Sequence, residues 1–244
     1  MIQSAPERRF VAVIAALQAE LRQLHRARAQ CTSDRGIRVF QSGAGYAASH
    51  RAAERAVAAG AGALVSWGLA GGLQPRLGTG SVIIATAATD SAGARWQAHE
   101  GWVTAVLSAL PAGLTVESGL LYCSDRMLVT PDAKAAAARR SGALGVDMET
   151  HAIAAVAAQR QVPWIGVRVV ADSLLHGLPA GLSACVDDDG NTRLAGVLHM
   201  LLRPGRWLAF ANLAVCYRRA DRSLALLASG LLPTAFAAPP VLAE

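Results

Sequence analysis

Three acidic residues stand at the predicted ends of secondary-structure elements, where carboxyl groups can take part in chemistry. Asp147 and Glu149 precede an alanine-rich segment, and Asp172 follows a segment rich in β-branched residues. A carboxyl group in a dry site can donate a proton, whereas a charged carboxylate can accept hydrogen bonds from substrate hydroxyls. Structural roles also fit, because Glu149 can cap its own helix and Asp172 the next element. Each acid taken alone favours the structural role.

The segments between these acids predict the elements that position them. Residues 152–161 carry Ala, Ile and Val on every side, which predicts a helix buried almost all round. Pro163 ends this helix, since proline lacks an amide donor and restricts the residue before it. Residues 164–171 then predict one buried parallel strand. Ligands of open α/β sheets bind outside the carboxyl ends of such strands, which places Asp172 for chemistry.

The two segments that carry these acids also form motifs. Residues 146–150 read VDMET, and residues 169–172 read VVAD. This pair resembles the "VEMEA … ISD" pattern of the purine nucleoside phosphorylase and methylthioadenosine/adenosylhomocysteine nucleosidase superfamily. The resemblance implies that Met148 and Glu149 contact a ribose and that Asp172 protonates the purine as it leaves. The spacing of these motifs, with those described below, favours these roles over capping.

A further acid, Glu20, stands just inside the first predicted helix, residues 18–29, which follows a strand predicted at residues 9–16. The stretch AALQAEL around it resembles the family's "GAMEEEV", in which a glutamate activates the attacking water. Glu20 would then be a second catalytic residue. The alternative is a solvated glutamate on the outer surface of an amphipathic helix.

A glycine-rich turn indicates where an anion could bind. The strand predicted at residues 37–41 leads into residues 42–45, Ser-Gly-Ala-Gly, which resemble the family's "SGIGKVAA". Backbone amides at such a turn can face an anion, helped by the helix N-terminus. Gly43, Gly45 and Arg38 would then hold phosphate as a co-substrate, although a solvated edge residue explains Arg38 equally well.

A second glycine-rich stretch follows the buried strand predicted at residues 63–68. SWGLAGGL, residues 66–73, resembles "NTGSAGGL", which would place the backbone at Gly71 against the nucleoside. Two residues depart from the family: Leu69 replaces a hydroxyl residue, and Ser66 stands where many phosphorylases have an arginine. Phosphorolysis and hydrolysis therefore both stay open, and we expect a dependence on phosphate that is real but weak.

Residues 119–125 resemble "GLIVSGDAF", the strand that leads to the base pocket of the family. By this match Met127 and Leu128 would cover the purine, although a methionine in such a run is also common in plain core packing. Residues 134–141, which include Lys134, predict a basic surface helix.

The chain beyond Asp172 departs from the small-molecule nucleosidases. It predicts two short apolar helices joined by residues 203–206, Arg-Pro-Gly-Arg. This tail resembles the nucleoside-phosphorylase-like proteins of bacterial hopanoid biosynthesis, whose implied substrate is adenosylhopane, a triterpenoid joined to the 5′ carbon of adenosine. Apolar segments around Trp207 and Leu224 beside arginines suit a greasy pocket wall or docking at an anionic membrane surface. Completion of the core or of a subunit interface explains them equally well.

Composition bounds the class of protein. The 244 residues, 53% of them apolar, suffice for a large core, and we expect a catalytic domain over residues 1–190 with an apolar helical extension over 191–244 packed on it. The net charge of +6 comes almost entirely from scattered arginines, which does not indicate nucleic-acid binding. Four widely spaced cysteines suggest reduced thiols in a cytoplasmic protein.

The expected fold is the three-layer α/β nucleoside phosphorylase-like fold, with a central mixed sheet and helices on both faces. The expected reaction is cleavage of a purine N-glycosidic bond with water or phosphate, without a metal or organic cofactor. Three hypotheses remain: cleavage of adenosylhopane, a methylthioadenosine/adenosylhomocysteine nucleosidase, or a non-catalytic lipid-nucleoside binding or membrane-tethering protein. We expect a cytoplasmic location, and peripheral contact with the inner face of the plasma membrane stays an open alternative. Homodimers are common in the family that the chain resembles, and the sequence leaves the oligomeric state open.

Overall fold

The computed structural model describes residues 10–30, 36–175 and 207–237. Its strands are β1 Phe10–Ala15, β2 Ile37–Gln41, β3 Ala61–Gly72, β4 Val82–Thr89, β5 Arg95–Gln97, β6 Val116–Cys123, β7 Gly145–Asp147 and β8 Trp164–Asp172. Its helices are α1 Gln18–Gln30, α2 Tyr46–Ala58, α3 Glu100–Ser108, α4 Pro131–Ser141, α5 Thr150–Gln159 and α6 Trp207–Leu231.

The strands form one mixed sheet whose centre closes into a ring. The order across the sheet is β2-β1-β3-β7-β6-β4-β5, and β8 pairs with both β3 and β4. The strands β3, β8, β4, β6 and β7 are therefore joined to one another in a closed circuit of hydrogen-bonded neighbours. The pairs β3·β7 and β4·β8 are antiparallel, whereas β1 pairs in parallel with both β2 and β3.

Helices cover both faces of this sheet. On one face α1, α3 and α6 pack around the buried Trp67 and Trp102. On the other face α2 and α5 supply small side chains, such as Ala52 and Ala154, which let the helices lie close to the strands. The predicted three-layer α/β fold with a mixed sheet is confirmed.

The strand β3 is longer than the sequence predicted. It runs from Ala61 to Gly72, so Gly71 lies in the strand, as Gly68 does, and not in a turn that follows it. Glycine inside a strand often marks a place where another group approaches the backbone closely. The predicted bounds of β2 agree with the structure, and β8 extends one residue further than predicted, to Asp172.

The helix α6 is continuous from Trp207 through Arg218 to Leu231. Its second half belongs to the core, because Leu224, Leu227 and Leu231 are buried against the sheet. Leu224 is only 2% exposed, so its side chain is not part of a membrane-docking surface, and the alternative that this segment completes the core is favoured. The structure does not describe the other predicted apolar helix or the turn at residues 203–206. It also does not describe the side chains of residues 207–214.

Polar contacts fix this helix and the residues after it. The indole N–H of Trp102 donates to the Ala235 carbonyl at 2.7 Å, and the amide of Gln23 donates to Asp221 at 2.9 Å. Among the helices of the described ranges, none is long and apolar enough to cross a membrane. Residues 220–236 therefore complete the same core as α1 and α3.

The burial of Leu224 can be tested with a matched variant on the same helix. Leu224→Ala should lower the free energy of unfolding by about 2–5 kcal/mol, because it leaves a cavity in the core. Leu226→Ala, at a leucine that is 44% exposed, should change it by less than about 0.5 kcal/mol. Urea unfolding followed by circular dichroism measures both, and equal losses would contradict this packing of α6.

Candidate active site

Glu20 lies in the first turn of α1 and directs its carboxylate into the protein. Oε2 accepts hydrogen bonds from the amides of Ala16 (3.1 Å) and Leu17 (2.9 Å), and Oε1 accepts one from the amide of Leu69 (2.8 Å). Burial raises the pKa of Glu20 above its ordinary value, although the charge of Arg168 and the three amides oppose this shift. Glu20 is 4% exposed, so the alternative of a solvated surface glutamate is wrong.

A buried arginine that the sequence analysis overlooked lies beside Glu20. Arg168, in the middle of β8, donates from Nε to Asp147 Oδ2 at 2.7 Å and from Nη2 to Ser66 Oγ at 2.7 Å and Thr150 Oγ1 at 2.9 Å. The guanidinium therefore reaches Ser66, the position at which the family resemblance suggested an arginine. The available signal was a charge inside an otherwise apolar strand, since buried charges are rare unless they are paired.

Gly68 makes the approach of these two groups possible. The register of β3 and β8 pairs Gly68 with Arg168. A Cβ on Gly68 would lie 2.5 Å from Glu20 Oε1 and 2.9 Å from Arg168 Nη1, and its φ of 151° is one that other residues rarely adopt. Any side chain at this position would displace the carboxylate or the guanidinium.

Asp147 and Glu149 have different roles at the start of α5. Asp147 accepts hydrogen bonds from the Thr150 amide at 3.3 Å and from the Thr150 hydroxyl, so Asp147 satisfies the helix end. Glu149 is the N-cap residue, but its side chain makes no capping hydrogen bond; its Oε1 accepts from the Gly45 amide at 2.9 Å. Capping by the Glu149 side chain is therefore excluded. Burial and the charge of Asp147 raise the pKa of Glu149 to about 7.

Asp172 ends β8 in a buried ion pair. Lys134 Nζ donates to the Asp172 carboxylate and, at 2.9 Å, to the Ser173 carbonyl. The prediction that Lys134 lies on a basic surface helix is wrong, because α4 turns this residue inward while Arg139 and Arg140 face solvent. Burial raises the pKa of Asp172, and the ammonium of Lys134 opposes that shift.

An irregularity in the ladder sets the direction of Asp172. The register pairs Ala70 with Val170 and then Gly71 with Asp172, so Ala171 is left without a partner strand residue. Such a bulge re-aims the side chains that follow it. A Cβ on Gly71 would lie 3.5 Å from Asp172 Oδ1, so Gly71 lies directly against this carboxylate.

The predicted phosphate ligands do not come together. The Gly45 amide donates to Glu149 Oε1, and the Gly43 amide donates at 3.2 Å to the carbonyl of Ala16, the residue that follows β1. The guanidinium of Arg38 stacks over the ring of Phe10, 4.3 Å from its centroid, at the opposite end of β1. The geometry of these three residues therefore gives no support to the expected phosphate site.

The residues predicted to contact the nucleoside expose part of their apolar side chains, which a ligand could cover. Met127 is 37% exposed, and Met148 is half-buried beside Glu149. Leu128 is half-buried and packs against a small cluster that includes Leu73. Their contacts with a nucleoside stay predictions.

The arrangement consists of two charge centres on β8. The first holds Arg168 with Glu20, Asp147 and Glu149 around it, and the second holds Asp172 with Lys134. Asp172 follows Arg168 by four positions along the strand, which is about 13 Å. One centre thus groups three carboxyl groups around a guanidinium, and the other pairs a carboxylate with an ammonium. Across residues 10–30, 36–175 and 207–237, no group of three His, Cys, Asp or Glu side chains is placed to hold a metal ion.

The raised pKa of Glu149 predicts a specific pH dependence of stability. Between the ordinary value of 4.5 and about 7 the folded chain binds a proton here that the unfolded chain has lost, so this group's contribution to stability falls as pH rises through that window. Glu149→Gln should remove that fall. Urea unfolding of both proteins at several pH values from below 4.5 to above 7 measures the difference. A constant difference across the window would contradict the shift.

Comparisons with known proteins agree with this geometry. A model of the phosphorylase superfamily matches residues 12–202, whereas no curated protein matches the chain in sequence. The 5′-methylthioadenosine/S-adenosylhomocysteine nucleosidase of Neisseria meningitidis, in complex with methylthio-immucillin-A, is 19% identical, with 91% of this chain and 99% of that chain covered and a TM-score of 0.67.

Two Helicobacter pylori structures are also similar. The methylthioadenosine/S-adenosyl homocysteine nucleosidase is 13% identical over 92% of this chain and 97% of that chain, with a TM-score of 0.68. The native futalosine hydrolase is 13% identical, with 90% of this chain and 97% of that chain covered and a TM-score of 0.65. At these identities the likeness establishes the fold. Because the family model spans more than half of the chain, the protein belongs to the phosphorylase superfamily and is a nucleosidase- or phosphorylase-type enzyme.

Proposed function

We propose that the protein hydrolyses the N-glycosidic bond of an adenine nucleoside that carries a substituent on its 5′ carbon. The observation that supports hydrolysis most directly is the environment of Glu20. Its carboxylate is buried, is held by three backbone amides and lies beside Arg168. A carboxylate with a raised pKa is a suitable general base for an attacking water.

Charge favours water over phosphate as the attacking group. Glu20, Asp147 and Glu149 surround the single guanidinium of Arg168, so the described centre is rich in negative charge. A phosphate dianion would meet repulsion from these carboxylates. The amides of Gly43 and Gly45, which could have bound it, already have protein acceptors.

The other residues take the roles that the family motifs imply. Glu149 would accept hydrogen bonds from ribose hydroxyls with Met148 behind the sugar, and Asp172 would donate a proton to the departing purine. As the bond breaks, the base gains negative charge and the sugar gains positive charge, so an acid at the base and carboxylates at the sugar both stabilise the transition state. Gly71, Met127 and Leu128 would line the purine side.

For the 5′ substituent we propose the triterpenoid of adenosylhopane. The support is the apolar composition of residues 191–217 and their resemblance to proteins of hopanoid biosynthesis. A lipid of that kind resides in a bilayer, so the enzyme would work as a peripheral protein at the inner face of the membrane, where arginines attract anionic lipids. A second candidate is methylthioadenosine, favoured by the likeness to the Neisseria nucleosidase.

Release of adenine from both nucleosides separates the hypotheses. Adenosylhopane is presented in lipid vesicles and methylthioadenosine in solution, each with and without phosphate. The proposal expects faster release from adenosylhopane, a product with the mass of ribosylhopane, and no effect of phosphate. Faster cleavage of methylthioadenosine would favour the second candidate, a phosphorylated product would make the enzyme a phosphorylase, and no release from either would leave a binding protein.

Asp172→Asn should lose about 10²–10⁴-fold in kcat, because it removes one positioned proton donor. It should also lower the unfolding temperature, because Lys134 loses its counter-ion, so the rate is measured below that temperature. Asp132→Asn, at an exposed acid in the first turn of α4, is the matched control and should keep wild-type kcat. Adenine release measured with whichever nucleoside the wild type cleaves gives both values. A near-wild-type rate in Asp172→Asn would remove this residue from the mechanism.

Gly68→Ala should lose most activity, because its Cβ would displace Glu20 or Arg168. Gly78→Ala places a methyl group where no atom lies within 4 Å and should leave the rate unchanged. Steady-state rates of the two variants, with thermal unfolding as a check of folding, make the comparison. Equal activity in both would show that the position of Glu20 does not limit the reaction.

A further inference from the structure

Lys134 is a buried cation whose ammonium contacts the acid of the proposed reaction. Its side chain is fully buried, and Nζ donates to the Asp172 carboxylate and to the Ser173 carbonyl at 2.9 Å. Lys134 is also the only lysine in the sequence. The other residues of the Lys+Arg total of 23 are all arginines. Arginine keeps its proton in proteins, whereas a buried lysine can give its proton up.

The charged form of this pair poses a problem for catalysis. A departing purine needs a proton, and a carboxylate that is paired with an ammonium carries none. The pair has a second form with the same net charge, in which the amine is neutral and the carboxyl group is protonated. Removal of water favours that neutral form, because desolvation penalises both charges.

We propose that Lys134 is a positioning residue that shares its proton with Asp172, so that Asp172 becomes an acid when a bound nucleoside excludes water. This inference rests on the proposed function, since it concerns the same reaction. The register supports it: Gly71 lies against the carboxylate of Asp172 on the side of β3, so the carboxylate is enclosed between backbone and Lys134.

The proton balance of the step is as follows. Lys134 Nζ gives a proton to Asp172 Oδ2, and Asp172 gives a proton to a ring nitrogen of the purine as the C1′–N bond breaks and its electron pair moves to the base. Water adds its oxygen to C1′ and gives a proton to Glu20. After product release Lys134 takes a proton from solvent and Glu20 loses one, which restores the enzyme.

The surroundings of Asp172 contain little else that could supply the proton. Among the described residues, the charged group that acts on Asp172 is Lys134, from α4. The neighbour from β3 is Gly71, which does not titrate.

Two substitutions of Lys134 separate proton sharing from a purely structural ion pair. Lys134→Arg preserves the positive charge but cannot release a proton, so kcat should fall at least about 10²-fold while KM stays near the wild-type value. Lys134→Met leaves Asp172 as a lone buried carboxyl group, so activity should persist at low pH and disappear at lower pH than in the wild type. A structural role predicts the reverse order, with Arg active and Met inactive.

An infrared measurement tests the same idea without turnover. The probe is a C-nucleoside analogue of adenosine, whose carbon–carbon link to the ribose cannot be cleaved. Its binding to the wild type should produce a protonated-carboxyl band that is absent in Asp172→Asn and in Lys134→Arg. A band of equal size in Lys134→Arg, or no such band in the wild type, would overturn the inference even if the variants were unstable.

The two proposals fail in different ways. If the wild type cleaves an adenine nucleoside and Lys134→Arg cleaves it at the same rate, the proposed function stands and proton sharing is wrong. If the wild type releases no adenine from any nucleoside, the proposed function fails. Thermal unfolding of both variants shows whether a loss of rate reflects loss of the fold.

Discussion

The burial of one guanidinium among three carboxylates is the constraint on which the site depends. Arg168 is closed off from water, and its charge acts on Glu20, Asp147 and Glu149 together. The pKa values of these acids separate as a result: burial alone would raise all three, but direct contact with Arg168 lowers that of Asp147, while those of Glu20 and Glu149 stay raised. Buried ion pairs contribute little net stability, so the value of this cluster lies in the protonation states that it fixes.

The two basic residues of the site suit opposite tasks. Arg168 has a planar fork that donates to a carboxylate and two hydroxyls at once, so it orders the strands β3, β7 and β8 around a permanent charge. Lys134 is a compact charge on a flexible stem, held against the Asp172 carboxylate at the end of β8. One cation therefore defines geometry, and the other lies where the proposed mechanism moves a proton.

Patterns local in sequence predicted most of the fold. Apolar runs and turns predicted β1, β2 and β8 to within a residue or two, and the VDMET and VVAD motifs indicated Glu149 and Asp172 as candidate site residues. What failed depends on contacts between distant segments. Nothing near Lys134 in the sequence shows that α4 turns it toward Asp172, and nothing near Gly45 shows that Glu149 takes its amide. The continuation of β3 through its glycines depends on pairing with β7 and β8, where Gly71 meets Val146 and Asp172, residues far away in the sequence.

The ring of strands has a consequence for biosynthesis. β8 lies between β3 and β4, yet it is the last of the eight strands to be made, since β4 ends at Thr89 and β8 begins at Trp164. At roughly 5–20 residues per second, the ribosome needs about 4–15 seconds to pass from one to the other. During that interval β3 and β4 expose apolar strand edges that can pair with other chains. The two strands therefore wait for the partner that joins them until residue 172 has left the exit tunnel.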